Sequence, residues 1–523
     1  LVNQYFIWLF LKKSLLSISL NLTMPMIIKQ ILSLRKEIGF FAGLLLFMIM
    51  LINPISQSNH TESLMAATAV LMVVWWISEA IPLGATSLVP IVIMPVLGIM
   101  SGNSVAREYF NSTILIFLGG FLIALAMQKW MLHKRISLVV IRILGSSTSG
   151  IVLGFMSASA ILSMFISNVA TTVMLLPIGL AFISRLEEEF GKEESQSFSV
   201  SIMLGIAYSS SIGGIATLIG TAPNLIFKRV YEMNFPDSPE ITFASWLAFG
   251  LPIAFVMLIL TWIVLSKFLF PASKSLYIDK THIDEQLADL GKISFEEKTV
   301  LIIFMATVFL WLFRTNINLE FIVIPGWSEL LPVKDMVDDG TIAIFSGLLL
   351  FILPASRSTE GSRKKIINID ILSKVPWEVI LIFGGGFALA KGFTDSGLSD
   401  LIGQNFNNLN ELPPTIMIAS ISTILTFLTE LTSNTATTNA ILPLLASVAK
   451  ASNLHPLMLM LPATLSASFA FMLPVGTPPN AIVYGSGYIR IQDMVKAGFY
   501  LNITGIIVIT IYFLIAIHLF GIV

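Results

Sequence analysis

Long apolar runs separated by short polar stretches dominate the chain, and this spacing predicts helices that cross a bilayer. A spanning helix needs about 20 mostly apolar residues. Windows of that kind begin near Gly39, Leu64, Leu83, Ile114, Ser199, Trp246, Thr299, Thr341, Trp377, Leu457 and Phe499. Two further apolar stretches, 151–183 and 415–448, are each interrupted at the centre by a polar cluster. Such a pattern reads as a hairpin entering and leaving from one side, because non-helical backbone at membrane depth persists only when packed in protein or lining a cavity. The expected fold is an all-α polytopic membrane protein of about 11 transmembrane helices plus two re-entrant hairpins.

The two polar clusters are copies. Ser167-Asn168-Val169-Ala170-Thr171-Thr172 recurs as Ser433-Asn434-Thr435-Ala436-Thr437-Thr438, at an offset of 266 positions (433 minus 167), and Pro177 and Pro443 follow in the same register. At the same offset, Ile116-Phe117-Leu118-Gly119-Gly120-Phe121 matches Ile382-Phe383-Gly384-Gly385-Gly386-Phe387. Gly220-Thr221-Ala222-Pro223-Asn224 matches Gly476-Thr477-Pro478-Pro479-Asn480 at an offset of 256 (476 minus 220). Three blocks in one order point to duplication.

Charge sets the relative orientation of the copies. Lys129, Lys134, Arg135 and Arg142 follow the first Gly-Gly block, whereas after the second, apart from Lys391, no Lys or Arg appears before Lys450. Positive residues mark the cytoplasmic side, so the repeats are expected to be inverted. The same rule places Lys29, Arg35, Lys36, the charged linker and Arg357, Arg363, Lys364 and Lys365 inside, and segment 53–63, which lacks Lys and Arg, outside. The linker 271–298 mixes both signs and reads as a solvated connecting helix. At the start, the apolar run 5–11 precedes Lys12 and Lys13, the wrong order for a secretory signal. Translation is expected to begin at Met24 or Met26, with 1–23 not native; a peripheral amphipathic stretch is the alternative.

Composition removes whole classes of function. The chain of 523 residues is 55% hydrophobic and 12% charged, with mean hydropathy +0.87, against about 25% charged for soluble proteins. A net charge of -1 provides no basic face for nucleic acid, and five histidines without cysteine leave little for transition-metal or thiol chemistry. The histidines lack metal-ligand spacing, the repeats carry no nucleophile–base pair, and no Gly-x-x-x-x-Gly-Lys-Ser/Thr loop is present. These absences disfavour a membrane enzyme and a nucleotide-driven pump.

The duplicated cluster suits ion binding. Chain breaks at mid-membrane expose helix N-termini, which attract anions, and free carbonyls, which attract small cations. Ser, Thr and Asn supply neutral oxygens to complete such sites, and neither cluster has an adjacent Lys or Arg. An anion held there needs co-bound cations, which is a physical route to coupled transport. As mere polar glue between helices, each such hydrogen bond contributes roughly 0.6 kcal/mol, and glue explains one cluster better than two registered copies. Glu79 and Glu430 lie in or beside apolar segments, where a carboxylate is a functional candidate; hydrogen bonding at a helix end is the plainer role for each.

The paired Ser-Asn signatures, the Gly-Thr-Pro-Pro-Asn block, the Gly-Gly-Phe helix and Trp75-Trp76-Ile77-Ser78-Glu79-Ala80-Ile81-Pro82 resemble the divalent anion/sodium symporters, which carry dicarboxylates, citrate or sulfate. The resemblance runs from about Gly39 to the C-terminus. It implies a first sodium site at Ser163, Ser167, Asn168 and the Gly220 carbonyl, and a second at Thr429, Ser433, Asn434 and the Gly476 carbonyl. Substrate contacts are implied at Asn168, Val169, Thr221, Asn434, Thr435, Thr477 and Pro478. Val169 departs from the family signature, which has threonine there, so one hydroxyl is replaced by a methyl and the two ends of a bound anion become unequal.

The resemblance also implies an elevator-type homodimer in the inner (plasma) membrane. Its scaffold part would span 39–143 and 299–405, and its moving transport part 144–270 and 410–523, with residues 1–38 as a cytoplasmic N-terminal segment and 271–298 as the cytoplasmic linker. No cofactor is expected beyond sodium as coupling ion, and the expected partners are a dicarboxylate anion, sodium and the lipid bilayer. The favoured function is import of C4-dicarboxylates (succinate, malate, fumarate) by sodium symport. Alternatives are sodium-independent dicarboxylate exchange, a citrate or sulfate carrier, and, from other classes, an ion channel or a membrane enzyme.

Overall fold

The computed structural model describes residues 23–56, 59–145, 147–272, 281–319, 322–356, 365–404 and 412–520. The expected N-terminal extension, apart from Thr23, falls outside the described residues, as does the 273–280 portion of the linker. Helices form almost all of the rest. By length and composition, six helices among the described residues are long and apolar enough to cross a membrane: His60–Ser78, Gly102–Lys129, Asn168–Phe190, Phe243–Leu269, Trp377–Ser396 and Ile491–Ala516. Shorter apolar helices include Thr148–Ser163, Asp339–Ile352, Pro414–Thr429 and Pro456–Ser466.

Two windows expected to be continuous spans are broken. The one from Leu83 divides into Leu83–Thr86 and Val89–Val96, with Pro90 in the first turn of the second helix, where it lacks the N–H that would bond the Thr86 carbonyl and carry the first helix on. The one from Leu457 stops at Ser466 and resumes only at Pro478. Within that gap the N–H groups of Phe471, Met472 and Leu473 point to the Glu430 carboxylate rather than to a preceding turn. A small departure from pure helix is the antiparallel pair Ile317–Leu319 and Ile322–Ile324.

The duplication is visible in three dimensions. The first hairpin's arms, Thr148–Ser163 and Asn168–Phe190, correspond to Pro414–Thr429 and Asn434–Ala451 in the second, with both tips in register at the 266 offset. Breaks before Ala222–Asn234 and Pro478–Tyr484 match at 256. Phe117 and Phe383, equivalent residues of the two Gly-Gly helices, meet edge-to-face at 4.9 Å. Contact between equivalent positions is what a pseudo-two-fold axis between repeats produces.

Glycine permits the closest approach of these layers. A Cβ on Gly386 would fall 2.0 Å from Asn439 Oδ1, so helix Trp377–Ser396 can lie against Asn434–Ala451 only with a bare backbone there. Asn439 Nδ2 uses that proximity to donate to the Ile382 carbonyl at 3.1 Å.

Two clusters of paired charges stand at helix ends. Arg314 donates to Asp339 Oδ1 and to Glu240 Oε1, both at 2.7 Å, while Lys228 pairs with Glu232 at 2.5 Å and Glu240 at 3.4 Å. Asp339 is 1% exposed and also accepts from the Phe243 N–H. Burial pushes Glu240 up, but Arg314 and Lys228 outweigh it and hold the carboxyl below its ordinary range. In the other cluster, Arg135 bonds Glu297 at 2.9 Å and the carbonyls of Leu290 and Gly291. Glu297 also closes a capping box with Ser294 at the start of Phe295–Leu312. Linker helix Thr281–Asp289 packs on Leu132–Leu144, with Arg142 2.6 Å from Asp284.

Candidate functional site

Each hairpin tip turns where a serine takes an extended conformation ahead of a new helix. Ser167 and Ser433 are the N-caps of Asn168–Phe190 and Asn434–Ala451, and Ser167 Oγ accepts from the Ala170 N–H at 3.3 Å. Ser433 makes no such side-chain cap.

The tips repeat their hydrogen bonds. Ser163 Oγ donates to Asn168 Oδ1 at 2.7 Å, and Thr429 Oγ1 donates to Asn434 Oδ1 at 2.7 Å. One turn on, Thr172 and Thr438 donate to the carbonyls of Asn168 and Asn434 at 2.9 and 2.7 Å. Each tip therefore gathers hydroxyl and amide oxygens of no net charge. Thr429 Oγ1 also lies 2.9 Å from the Ala467 carbonyl, which binds the second tip to its neighbouring chain break.

The chain breaks close against these tips. A Cβ on Gly220 would sit 2.4 Å from the Gly214 carbonyl oxygen and 2.9 Å from that of Ser163; one on Gly214 would sit 2.6 Å from Asn168 Oδ1. Ser163, Asn168, Gly214 and Gly220 thus form one compact group. In the second repeat a Cβ on Gly476 would meet Glu430 Oε2 at 3.0 Å and the Glu430 carbonyl at 3.3 Å. Thr221 and Thr477 are the N-caps of Ala222–Asn234 and Pro478–Tyr484, both extended and neither capping through its side chain. Their hydroxyls are therefore not spent on the helix start, and Thr477 Oγ1, though buried, has no hydrogen-bond partner.

The halves interlock at this level. Asn168–Phe190 packs against Pro478–Tyr484, and Asn434–Ala451 packs against Ala222–Asn234, so each Ser-Asn helix lies on the other repeat's Gly-Thr-x-Pro-Asn helix. The N-terminal ends of Asn168–Phe190, Asn434–Ala451 and Ala222–Asn234 supply free N–H groups and the positive end of the helix dipole, which suits anionic groups. Hydroxyl, amide and carbonyl oxygens in the tips suit a hard cation.

Residues with implied substrate contacts differ in access. Val169 is exposed and Thr435 half-buried; Thr221 is half-buried and Thr477 buried; Pro478 is exposed. Ser167, Asn168, Ser433 and Asn434 are half-buried, whereas Ser163, Thr429, Gly220 and Gly476 are buried. Four of the positions assigned to cations are buried, whereas among those assigned to the anion only Thr477 is.

The equivalence fails at one instructive point. At the first tip, Thr217 donates its hydroxyl to the Met164 carbonyl. The residue equivalent to Met164 is Glu430, whose carboxylate accepts from Phe471 N at 2.7 Å, Met472 N at 2.8 Å, Leu473 N at 3.1 Å and Asn502 Nδ2 at 2.8 Å. Four donors converge on one buried acid, as a charged carboxylate requires. Glu79, by contrast, ends helix His60–Ser78 in the left-handed region (φ 51°) with Lys36 3.8 Å away, half-exposed. Sequence reasoning named Glu430 but missed its partners and missed Asn224, Asn480 and Asn502. The first two stood in the matched blocks; Asn502 carries no motif.

Residues 35–522 match the family model described as the sodium:sulfate symporter transmembrane region. A sodium-dependent dicarboxylate transporter, SdcS, from Staphylococcus aureus is 43% identical over 499 residues, covering 94% of this chain and 93% of the relative. Its namesake from Staphylococcus saprophyticus is 42% identical over 487 residues, covering 91% of each. Two solved structures share the fold at low identity. MtrF of Neisseria gonorrhoeae, from a class of antimetabolite efflux pumps, gives a TM-score of 0.54 at 13% identity, covering 88% of this chain and 95% of its own. The YdaH transporter of Alcanivorax borkumensis gives 0.53 at 12%, covering 87% and 98%. With a family match over 35–522 and 43% identity to a relative of equal extent, this chain belongs to the sodium:sulfate symporter family and is a membrane transporter, not an enzyme.

Proposed function

We propose that the protein imports C4-dicarboxylates such as succinate, malate and fumarate by symport with sodium. The observation that carries this reading is the duplicated, uncharged oxygen group, Ser163 with Asn168 and Thr429 with Asn434, set beside helix N-termini and glycine-bearing chain breaks. Two such groups accommodate two cations, with Ser167, Ser433 and the Gly220 and Gly476 carbonyls completing the cages. Anion contacts come from Asn168, Val169, Thr221, Asn434, Thr435, Thr477 and Pro478. The relatives' names, sodium-dependent dicarboxylate transporter, fit this chemistry.

Without its cations the site presents dipoles and hydroxyls but no formal positive charge to two carboxylates at membrane depth. Cation binding first, then anion, follows from that imbalance and suppresses movement of a half-loaded site. The moving body would comprise 144–270 and 410–523, sliding as an elevator against 39–143 and 299–405 of a homodimer in the inner (plasma) membrane.

Uptake of labelled succinate into proteoliposomes tests the reading, with and without an inward sodium gradient and with no internal dicarboxylate. Sodium-dependent accumulation supports symport. Uptake that needs internal dicarboxylate and ignores sodium identifies an exchanger, and no uptake of succinate redirects the substrate to citrate or sulfate.

A further inference from the structure

The two chain breaks are each tied by one asparagine in the same way. Asn224 Nδ2 donates to the carbonyls of Gly214 at 3.1 Å and Thr217 at 2.6 Å. Asn480 Nδ2 donates to Ala470 at 3.0 Å and Leu473 at 3.1 Å. All three positions in each set are related by 256 (480 minus 224, 470 minus 214, 473 minus 217). Both asparagines are 0% exposed, and in both Oδ1 accepts no hydrogen bond.

A helix that stops inside a protein leaves carbonyls without partners, and a buried unpaired carbonyl costs roughly 1–3 kcal/mol. Only a short side chain ending in a two-hydrogen donor can satisfy two carbonyls three residues apart from the first turn of the next helix. Asparagine meets that requirement; aspartate, isosteric but without donors, does not. The consequence extends to the cages. Gly214 abuts Asn168 Oδ1, and Gly220 abuts the Ser163 carbonyl, so the path of 214–220 sets where the Gly220 carbonyl points. The Asn480 bonds to 470 and 473 set the path that reaches Gly476 beside Glu430.

We propose that Asn224 and Asn480 are a matched pair of positioning residues, each holding one chain break so that its glycine carbonyl faces one sodium cage. They act through their amide N–H groups and touch neither ion nor substrate. The inference rests on the sodium-symport reading and adds the determinant of cage geometry to it. A buried, unpaired Oδ1 leaves a rival role, in which the amide oxygen itself ligates the cation, and the two roles predict opposite effects of aspartate.

The test uses purified full-length protein and sodium titration of its melting temperature at constant ionic strength. The variants are Asn224→Ala, Asn224→Asp, Asn480→Ala and Asn480→Asp. Loss of an outer-shell partner weakens metal binding about 10–100-fold, so each alanine variant should need roughly tenfold more sodium for half-maximal stabilisation. Each aspartate variant should be no better than alanine. Asn224→Ala should also be non-additive with Ser163→Ala yet additive with Thr429→Ala, and Asn480→Ala the reverse. Should a variant not be recovered, Asn→Ser, which retains one donor, replaces it and is expected to fall between wild type and alanine.

Sodium binding as tight as wild type or tighter in the aspartate variants would make Oδ1 a ligand and overturn the positioning role. A lower sodium-free melting temperature with unchanged half-saturating sodium would reduce the pair to structural support and overturn it too. If wild type itself does not respond to sodium, the symport reading falls and takes the inference with it. A responding wild type together with variants of unchanged half-saturating sodium sinks the inference alone.

Discussion

Replacing Glu430 by glutamine should weaken sodium coupling in addition to lowering folding stability. The substitution preserves shape and one acceptor oxygen, which can retain the bonds that Oε1 receives from Phe471, Met472 and Asn502. It removes the charge, and the new amide N–H2 would confront the Leu473 N–H now bonded to Oε2 at 3.1 Å. One orphaned donor costs roughly 1–3 kcal/mol. The charge matters separately. A Cβ on Gly476 would lie 3.0 Å from Oε2, so the carboxylate adjoins the glycine whose carbonyl is assigned to the cation; at a separation of about 5 Å such an attraction is worth ~3 kcal/mol at an effective dielectric constant of 20. That is about a hundredfold in affinity, and relaxation leaves at least tenfold as the expected rise in half-saturating sodium. Sodium-dependent succinate uptake in proteoliposomes, read at saturating succinate, measures it. An unchanged sodium dependence in Glu430→Gln would refute the idea that this carboxylate strengthens the second cage.

The remaining predictions concern the tips and the charged clusters. Asn168→Ala or Asn434→Ala should abolish sodium-driven uptake while leaving membrane insertion intact; near-normal uptake by either removes that residue from the site. Val169→Thr should change the ratio of succinate to malate uptake in a competition assay, and an unaltered ratio shows the missing hydroxyl to be irrelevant. Arg314→Ala leaves Asp339 buried without its partner and should cost about 3–5 kcal/mol, seen as a lower melting temperature in detergent that Arg314→Met with Asp339→Leu largely restores. Glu240 and Glu297 are held below their ordinary value of 4.5 in the folded protein. Their contribution is therefore complete above that value and is lost as pH falls through the lower folded one. Melting temperature should drop on acidification across that window, and Glu297→Gln should flatten the drop.

Much of the architecture could be read from the sequence because membrane depth makes polar residues conspicuous. The hairpin tips fell where the Ser-Asn clusters stand, and the breaks before Ala222 and Pro478 fell at the Gly-Thr-x-Pro-Asn blocks. Apolar windows were less informative wherever backbone groups found partners outside the helix. The stretch after Leu457 is largely apolar, yet its helix stops at Ser466, and Glu430, 41 residues before Phe471, takes the N–H groups of the segment that follows. Hydropathy does not register such a tertiary competitor. The ion network around Arg314 was equally hidden, since Lys228, Glu240, Arg314 and Asp339 come from separate segments with no shared spacing. The amides of Asn224 and Asn480 lay in recognised blocks, but nothing in the sequence indicates which carbonyls they reach.

The meeting of Phe117 with Phe383 has a further meaning for energetics. When equivalent residues of inverted halves face each other across one axis, exchanging the roles of the halves converts an inward-open arrangement into an outward-open one built from the same contacts. To first order, on the alternating-access reading, the two arrangements are isoenergetic, and gradients alone set the direction of net flux. Any intrinsic bias must come from places where the copies disagree, chiefly Glu430 opposite Met164 and Thr435 opposite Val169. Those two pairs are where a carrier of this kind could be made to rest facing one side.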